Sequence, residues 1–247
     1  MEMRGRTVLV TGGSAGIGYH IAEELLARGC TVLVCGRSAD RLERARGAHP
    51  ELHTRVCDVS RAEQRRELRD WAVSSHPRLS LLLNNAGIQR MVDLTAGARD
   101  LEQAQEEIAI NFTGLVALTA LFVPHLAAQA DAAVLNISSG LAFVPIASMP
   151  VYCATKAAVH SFTLSLRRQL ARSTVRVFEG IPPTTDTELD QGRRPARARG
   201  IPAAEVAREL VAGLERDQEE IPVGEAGGLV EGSRRDPQGV FRRLNRF

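Results

Sequence analysis

Six short runs of aliphatic and β-branched residues recur along the chain: Thr7–Val10, Thr31–Cys35, His53–Cys57, Leu79–Leu83, Ala132–Ile137 and Thr174–Phe178. Each is bounded by polar residues or glycine. Their brevity and near-uniform apolarity predict strands buried on both faces. Between them, apolar positions three and four apart predict helices near 16–29, 39–47, 60–75, 100–128, 151–172 and 202–217. Strict alternation of this kind specifies a parallel sheet with helices on both faces. Right-handed crossovers make it a doubly wound sheet. No linker or repeat divides residues 1–247, so one α/β domain is expected. Two segments break the pattern. Residues 182–200 are polar and rich in Pro, Gly and Arg just beyond a strand end, which predicts a lid over a ligand. Residues 224–247, rich in Gly and Arg, read as a solvated C-terminal tail.

Composition narrows the classes of function. Hydrophobic residues make up 44%, enough for a full core without staples. A net charge of +2 lacks the clustered basic excess of a nucleic-acid binder. No run of apolar residues reads as long enough to span a bilayer, and no signal peptide opens the chain, so no membrane partner and a cytoplasmic location are expected. Cys30, Cys35, Cys57 and Cys153 fit neither a zinc spacing nor a CxxC pair, so neither metal nor disulfide is expected. The basic residues are almost all Arg. Lys156 is the single lysine among 31 Lys and Arg; the Arg excess reads as a GC-rich coding bias, and against it the one surviving lysine is a lead to a position that Arg does not suit.

The first strand runs into Thr11-Gly12-Gly13-Ser14-Ala15-Gly16-Ile17-Gly18 and then a helix. Glycines let backbone amides approach a diphosphate, and the helix N-terminus offers it unpaired N–H groups. Gly12, Ser14, Gly16, Ile17 and Gly18 are therefore expected to form a dinucleotide-binding turn. The second strand ends at Gly36-Arg37 with no acidic residue to bind ribose hydroxyls, and Arg37 offers a fork suited to a phosphate. That favours NADP(H) over NAD(H).

The GxxxGxG spacing behind a threonine resembles the short-chain dehydrogenase/reductase family, and nearly the whole chain can be laid on its pattern. The resemblance implies a single-domain Rossmann fold and carbonyl–alcohol chemistry on a small molecule. It implies that Asp58, with Val59 beside it, meets the adenine, although Asp58 also reads as a cap for the segment from Ser60. It places Asn85-Ala86-Gly87 along the cofactor. After the sixth strand the family shows Pro-Gly and then a threonine; here Pro182-Pro183 replaces it. Pro182, Thr185 and Thr187 are expected on the cofactor, Thr187 reaching the nicotinamide amide, while Pro183 alters the path of the lid.

Tyr152 and Lys156 are four apart and share a helix face. A cation about 4 Å from a phenol, at an effective dielectric near 20, favours the phenolate by about 4 kcal/mol, up to roughly three pKa units before desolvation. Such a tyrosine can give a proton to a developing alkoxide. Ser139, thirteen residues earlier at a strand end, can hydrogen-bond the substrate oxygen, with Ser138 as the fallback. In the resembled family an Asn matching Asn111 relays protons through a water near the lysine. The expected catalytic set is Asn111, Ser139, Tyr152 and Lys156. Ser139, Leu141, Phe143, Met149 and Tyr152 are the expected substrate contacts. The apolar run Leu141–Met149 favours a hydrophobic or aromatic carbonyl, unless it packs against the protein or a partner subunit. Glu179 reads as an exposed strand-edge residue. Arg193, Arg194, Arg197 and Arg199 read as a solvated loop or as a greeting for an anionic substrate. Apolar positions including Leu115, Leu118, Phe122, Phe162, Leu166 and Leu170 suit either the core or, as in the resembled family, a homodimer or homotetramer. Imine or enoyl reduction, and a non-catalytic NADP(H) sensor, remain as alternative readings; the tetrad argues against the sensor.

Overall fold

The computed structural model describes residues 1–187, 189 and 200–245. Seven parallel strands form the central sheet in the order β3-β2-β1-β4-β5-β6-β9. These are β1 (Thr7–Thr11), β2 (Thr31–Gly36), β3 (His53–Val56), β4 (Leu79–Asn84), β5 (Ala132–Ile137), β6 (Val175–Ile181) and β9 (Glu220–Pro222). A two-stranded pair, β7 (Thr185–Asp186) and β8 (Ile201–Pro202), lies apart from it. The order reverses between β1 and β4, the switch point where ligands bind outside strand C-termini. β1, β4 and β5 are buried along their whole length, which explains their uninterrupted apolar sequences.

Helices cover both faces. α1 (Gly16–Ala27), α2 (Ala39–Ala48) and α7 (Ala203–Glu215) supply Ile21, Leu42 and Leu210 to one apolar core. α3 (Ala62–Ser75), α5 (Leu115–Ala127) and α6 (Pro150–Gln169) supply Leu68, Phe122 and Leu166 to the other. α4 (Leu101–Ile108) joins α5 through a π-helical turn, Ala109–Gly114. Leu94–Ala127 is long and apolar enough by composition to cross a membrane, against the sequence expectation. Its apolar side chains have an internal use, since Leu118, Phe122 and Leu126 are buried in the second core.

Three further expectations change. The segment read as a solvated tail forms α8 (Ala226–Arg235) and α9 (Pro237–Leu244), with Ala226, Val230 and Val240 buried. Strand β6 runs on to Ile181, and β9 pairs beside it. Glu179, read as an exposed edge residue, is completely buried within β6, because β5 and β9 flank it and α6 packs over it. Most of the expected lid, including Arg193, Arg194, Arg197 and Arg199, lies outside the described residues.

Candidate active site

A cleft of about 530 Å³ opens at the C-terminal ends of β1, β2, β4 and β5. Its floor is the glycine turn. Gly12 adopts a φ of +66°, and a Cβ there would lie 2.9 Å from Ala86 Cα. The turn is tied to the end of β4: Thr11 Oγ1 accepts from the amides of Asn85 and Ala86, each at 3.0 Å, and Asn85 Nδ2 donates to Thr11 O at 3.0 Å. Gly18 is not among the cleft-lining residues. A Cβ on it would sit 2.3 Å from Asn85 Nδ2, so its role is close packing of α1 against the turn. Helix α1 begins after Ala15 with no side-chain cap, and Ala15, Gly16 and Ile17 line the cleft. An uncapped first turn facing a cleft of this size fits an anionic diphosphate.

At the end of the cleft beside β2, Arg37, Ser38 and Arg41 line the wall. Arg37 is half exposed and pairs with Glu106 Oε1 at 3.0 Å. Sequence reading missed Ser38 and Arg41; Ser38 also caps α2, its Oγ accepting from Arg41 N at 3.3 Å. Asp58 and Val59 both line the cleft. One oxygen of Asp58 accepts from Ser60 N at 2.9 Å and from Ser60 Oγ at 2.7 Å, a local turn ahead of α3, whose own N-cap is Arg61 with no side-chain cap, so the helix-capping reading of Asp58 does not hold. Pro182 and Thr187 line the opposite wall, whereas Thr185 does not. Thr185 is held in β7 with its hydroxyl donating to Pro183 O at 2.9 Å, which corrects its assignment to the cofactor.

The four catalytic candidates meet where β5, α4 and α6 converge. Tyr152 is buried, and Ser139 lies close enough to its phenol to lower its pKa. Lys156, also buried, donates from Nζ to Ile137 O at 2.9 Å and stands 5.7 Å from the centre of the Tyr152 ring. Asn111 lies in the π turn; its Oδ1 accepts from Ile88 N and its Nδ2 donates to Ile88 O, both at 2.8 Å. A Cβ on Gly87 would touch both Asn111 Oδ1 at 3.3 Å and Lys156 Nζ at 3.7 Å, so the glycine leaves room for the pair to approach. π turns recur at functional sites because they re-aim a helical side chain.

The electrostatics differ from the sequence argument. Burial pushes the Tyr152 phenol up, and the Ser139 hydrogen bond opposes it only in part. Burial lowers the Lys156 ammonium to about 8, against the attraction of Glu107. Sequence reading missed Glu107, one helical turn before Asn111. It is completely buried; Oε1 accepts from Arg90 N at 2.9 Å, and burial raises its carboxyl to about 7. Its charge opposite Lys156 was invisible because the two residues come from different helices.

The expected substrate contacts separate. Ser139 accepts from Leu141 N at 3.1 Å, and Leu141 stays half-buried beside it. Met149 is met by Gln89, which donates to its Sδ at 2.6 Å. Phe143 turns away from the cleft, packing with Ile181, Ala226 and Val230 and tilted 4.5 Å from the His160 ring. It belongs to the C-terminal helices, which corrects its assignment to substrate.

A doubly wound parallel sheet, a glycine turn at its switch point and a buried Tyr–Lys–Ser–Asn cluster define an oxidoreductase of the Rossmann class. The short chain dehydrogenase family model matches residues 6–198, and the chain belongs to that family. It is 45% identical over 99% of its length to the uncharacterized oxidoreductase DltE of Bacillus subtilis, covering 98% of that protein. A short chain dehydrogenase from Burkholderia cenocepacia, solved in complex with NADP, superimposes with a TM-score of 0.87 at 30% identity, covering 99% of both chains. A relative from Burkholderia phymatum, solved with NAD, shares the fold at a TM-score of 0.86 and 21% identity, covering 100% of this chain and 98% of that one.

Proposed function

We propose that the chain is a cytoplasmic NADP(H)-dependent oxidoreductase that interconverts a carbonyl and an alcohol on an apolar or aromatic small molecule. The observation that carries this reading is the convergence of Tyr152, Ser139, Lys156 and Asn111 at one end of a dinucleotide-sized cleft. The first turn of α1 would hold the diphosphate, and Tyr152 and Lys156 the ribose. A bound nicotinamide would supply or accept the hydride. Tyr152 gives its phenolic proton to the oxygen as negative charge develops there, and recovers it in the reverse direction. Ser139 steadies that oxygen and the phenol. Asn111 fixes the Ile88 backbone and so the wall beside the lysine.

Arg37, Ser38 and Arg41, with no carboxylate at the end of β2, support NADP(H). The 30%-identical relative solved with NADP is consistent with that preference. Following NADPH and NADH absorbance over a panel of aromatic and aliphatic ketones and aldehydes tests both points. The wild type is expected to favour NADPH, and Arg37→Ala to raise the KM for NADPH about tenfold, the loss of one charge-assisted hydrogen bond, with NADH little changed. Equal use of the two cofactors by the wild type would reject the preference.

We also propose a homodimer or homotetramer built on α4 and α6. Leu115, Leu118, Phe122 and Leu166 pack internally, but Leu101, Ile108 and Leu164 remain exposed on these two helices. Light scattering is expected to give at least twice the monomer mass of 26.8 kDa.

A further inference from the structure

The cofactor site contains a second built group that the tetrad does not use. Glu179 is completely buried in a strand, where an isolated carboxylate is costly. Both its oxygens are engaged: Ser138 Oγ donates to Oε1 at 2.5 Å, and His160 Nδ1 lies 2.8 Å from Oε2. His160 is one turn beyond Lys156 on α6, with Phe143 against its ring. The Glu179 carboxylate raises the His160 pKa; Glu220 from β9 and Arg234 from α8 also face the imidazole and bond each other at 2.8 Å. Ser138 lines the cleft between Ile137, which anchors Lys156, and Ser139, which lies beside the Tyr152 phenol.

A serine hydroxyl has one proton and two lone pairs. With its proton committed to Glu179, Ser138 can only accept from whatever occupies the cleft. The carboxamide of a nicotinamide ring carries that ring's only hydrogen-bond donor. We propose that Ser138, set by Glu179 and His160, is an acceptor for the carboxamide N–H of the nicotinamide, so that Glu179 and His160 are positioning residues for the ring. This rests on the cofactor reading above.

The test compares calorimetric affinities for NADPH and for 2′,5′-ADP, which lacks the nicotinamide half, with NADH and 5′-ADP in parallel. Ser138→Ala is expected to weaken the dinucleotide five- to tenfold, about the worth of one hydrogen bond, and to leave the adenine half within twofold. Glu179→Gln is isosteric, but its amide can donate to Ser138 and release the serine proton; it is expected to show the same selective loss, more weakly. Unchanged dinucleotide affinity in Ser138→Ala, or equal losses for both ligands, would overturn the inference while leaving the cofactor reading intact. A wild type that binds none of the four ligands would overturn both.

Discussion

Replacing Tyr152 with phenylalanine is expected to lower kcat by about 10²- to 10⁴-fold, the usual worth of a positioned acid or base. The cofactor KM should move only a few-fold. The ring, in the first turn of α6, is buried, so the substitution keeps the packing and removes one oxygen. Ser139 still accepts from Leu141 N, which holds its rotamer. Because burial holds the phenol protonated at neutral pH, the chain is set to donate a proton, the role required for carbonyl reduction. Oxidation needs the phenolate. Its rate is therefore expected to climb with pH into the alkaline range, while reduction stays level across neutrality. Stopped-flow absorbance with both variants reads both effects. Turnover in Tyr152→Phe near the wild-type level would remove the phenol from the mechanism.

Local chemistry decided how much of this was legible in the chain. The glycine turn, the Tyr–Lys pair and the strand-end serine are set by backbone geometry and helical periodicity, and the structure brings them together as read. Residues whose role depends on a partner from another element were not legible. Glu179 becomes buried only because β5 and β9 flank it and His160 reaches it from α6. Glu107 faces Lys156 across two helices. Phe143 and Thr185 sit in the right segments, but tertiary packing and the β7–β8 pairing turn them elsewhere. The C-terminal helices escaped because their glycines and arginines mimic a solvated tail; their buried apolar side chains are Ala226, Val230 and Val240. Strand β9, three residues long, is below the length at which alternation can be seen.

Lys156 separates stability from function more sharply than any other position. Its ammonium is buried with a pKa lowered to about 8 from an ordinary 10.5. Folding therefore carries a penalty for the charged form, fully present below about pH 8 and gone above about 10.5. At roughly 1.4 kcal/mol per unit, that is about 3 kcal/mol at neutral pH. The bond to Ile137 O and the attraction of Glu107 persist only while the cation is there. Lys156→Met fills a similar volume without the charge. After losing that hydrogen bond, it is expected to be more stable than the wild type by about 1–2 kcal/mol at pH 7, a rise of a few degrees in Tm. Turnover should nevertheless fall by at least about 10²-fold. Relative to the variant, the wild type should gain stability between about pH 8 and 10.5, because the other buried groups titrate alike in both. Lys156→Arg keeps the charge, but its larger, permanently charged fork has no room in a fully buried site; it is expected to lose both activity and stability. Thermal melts across this pH range, with turnover on the same samples, decide the point. A Lys156→Met protein less stable than the wild type at neutral pH would show that the ammonium is retained for packing, and that the chain's single lysine is structural.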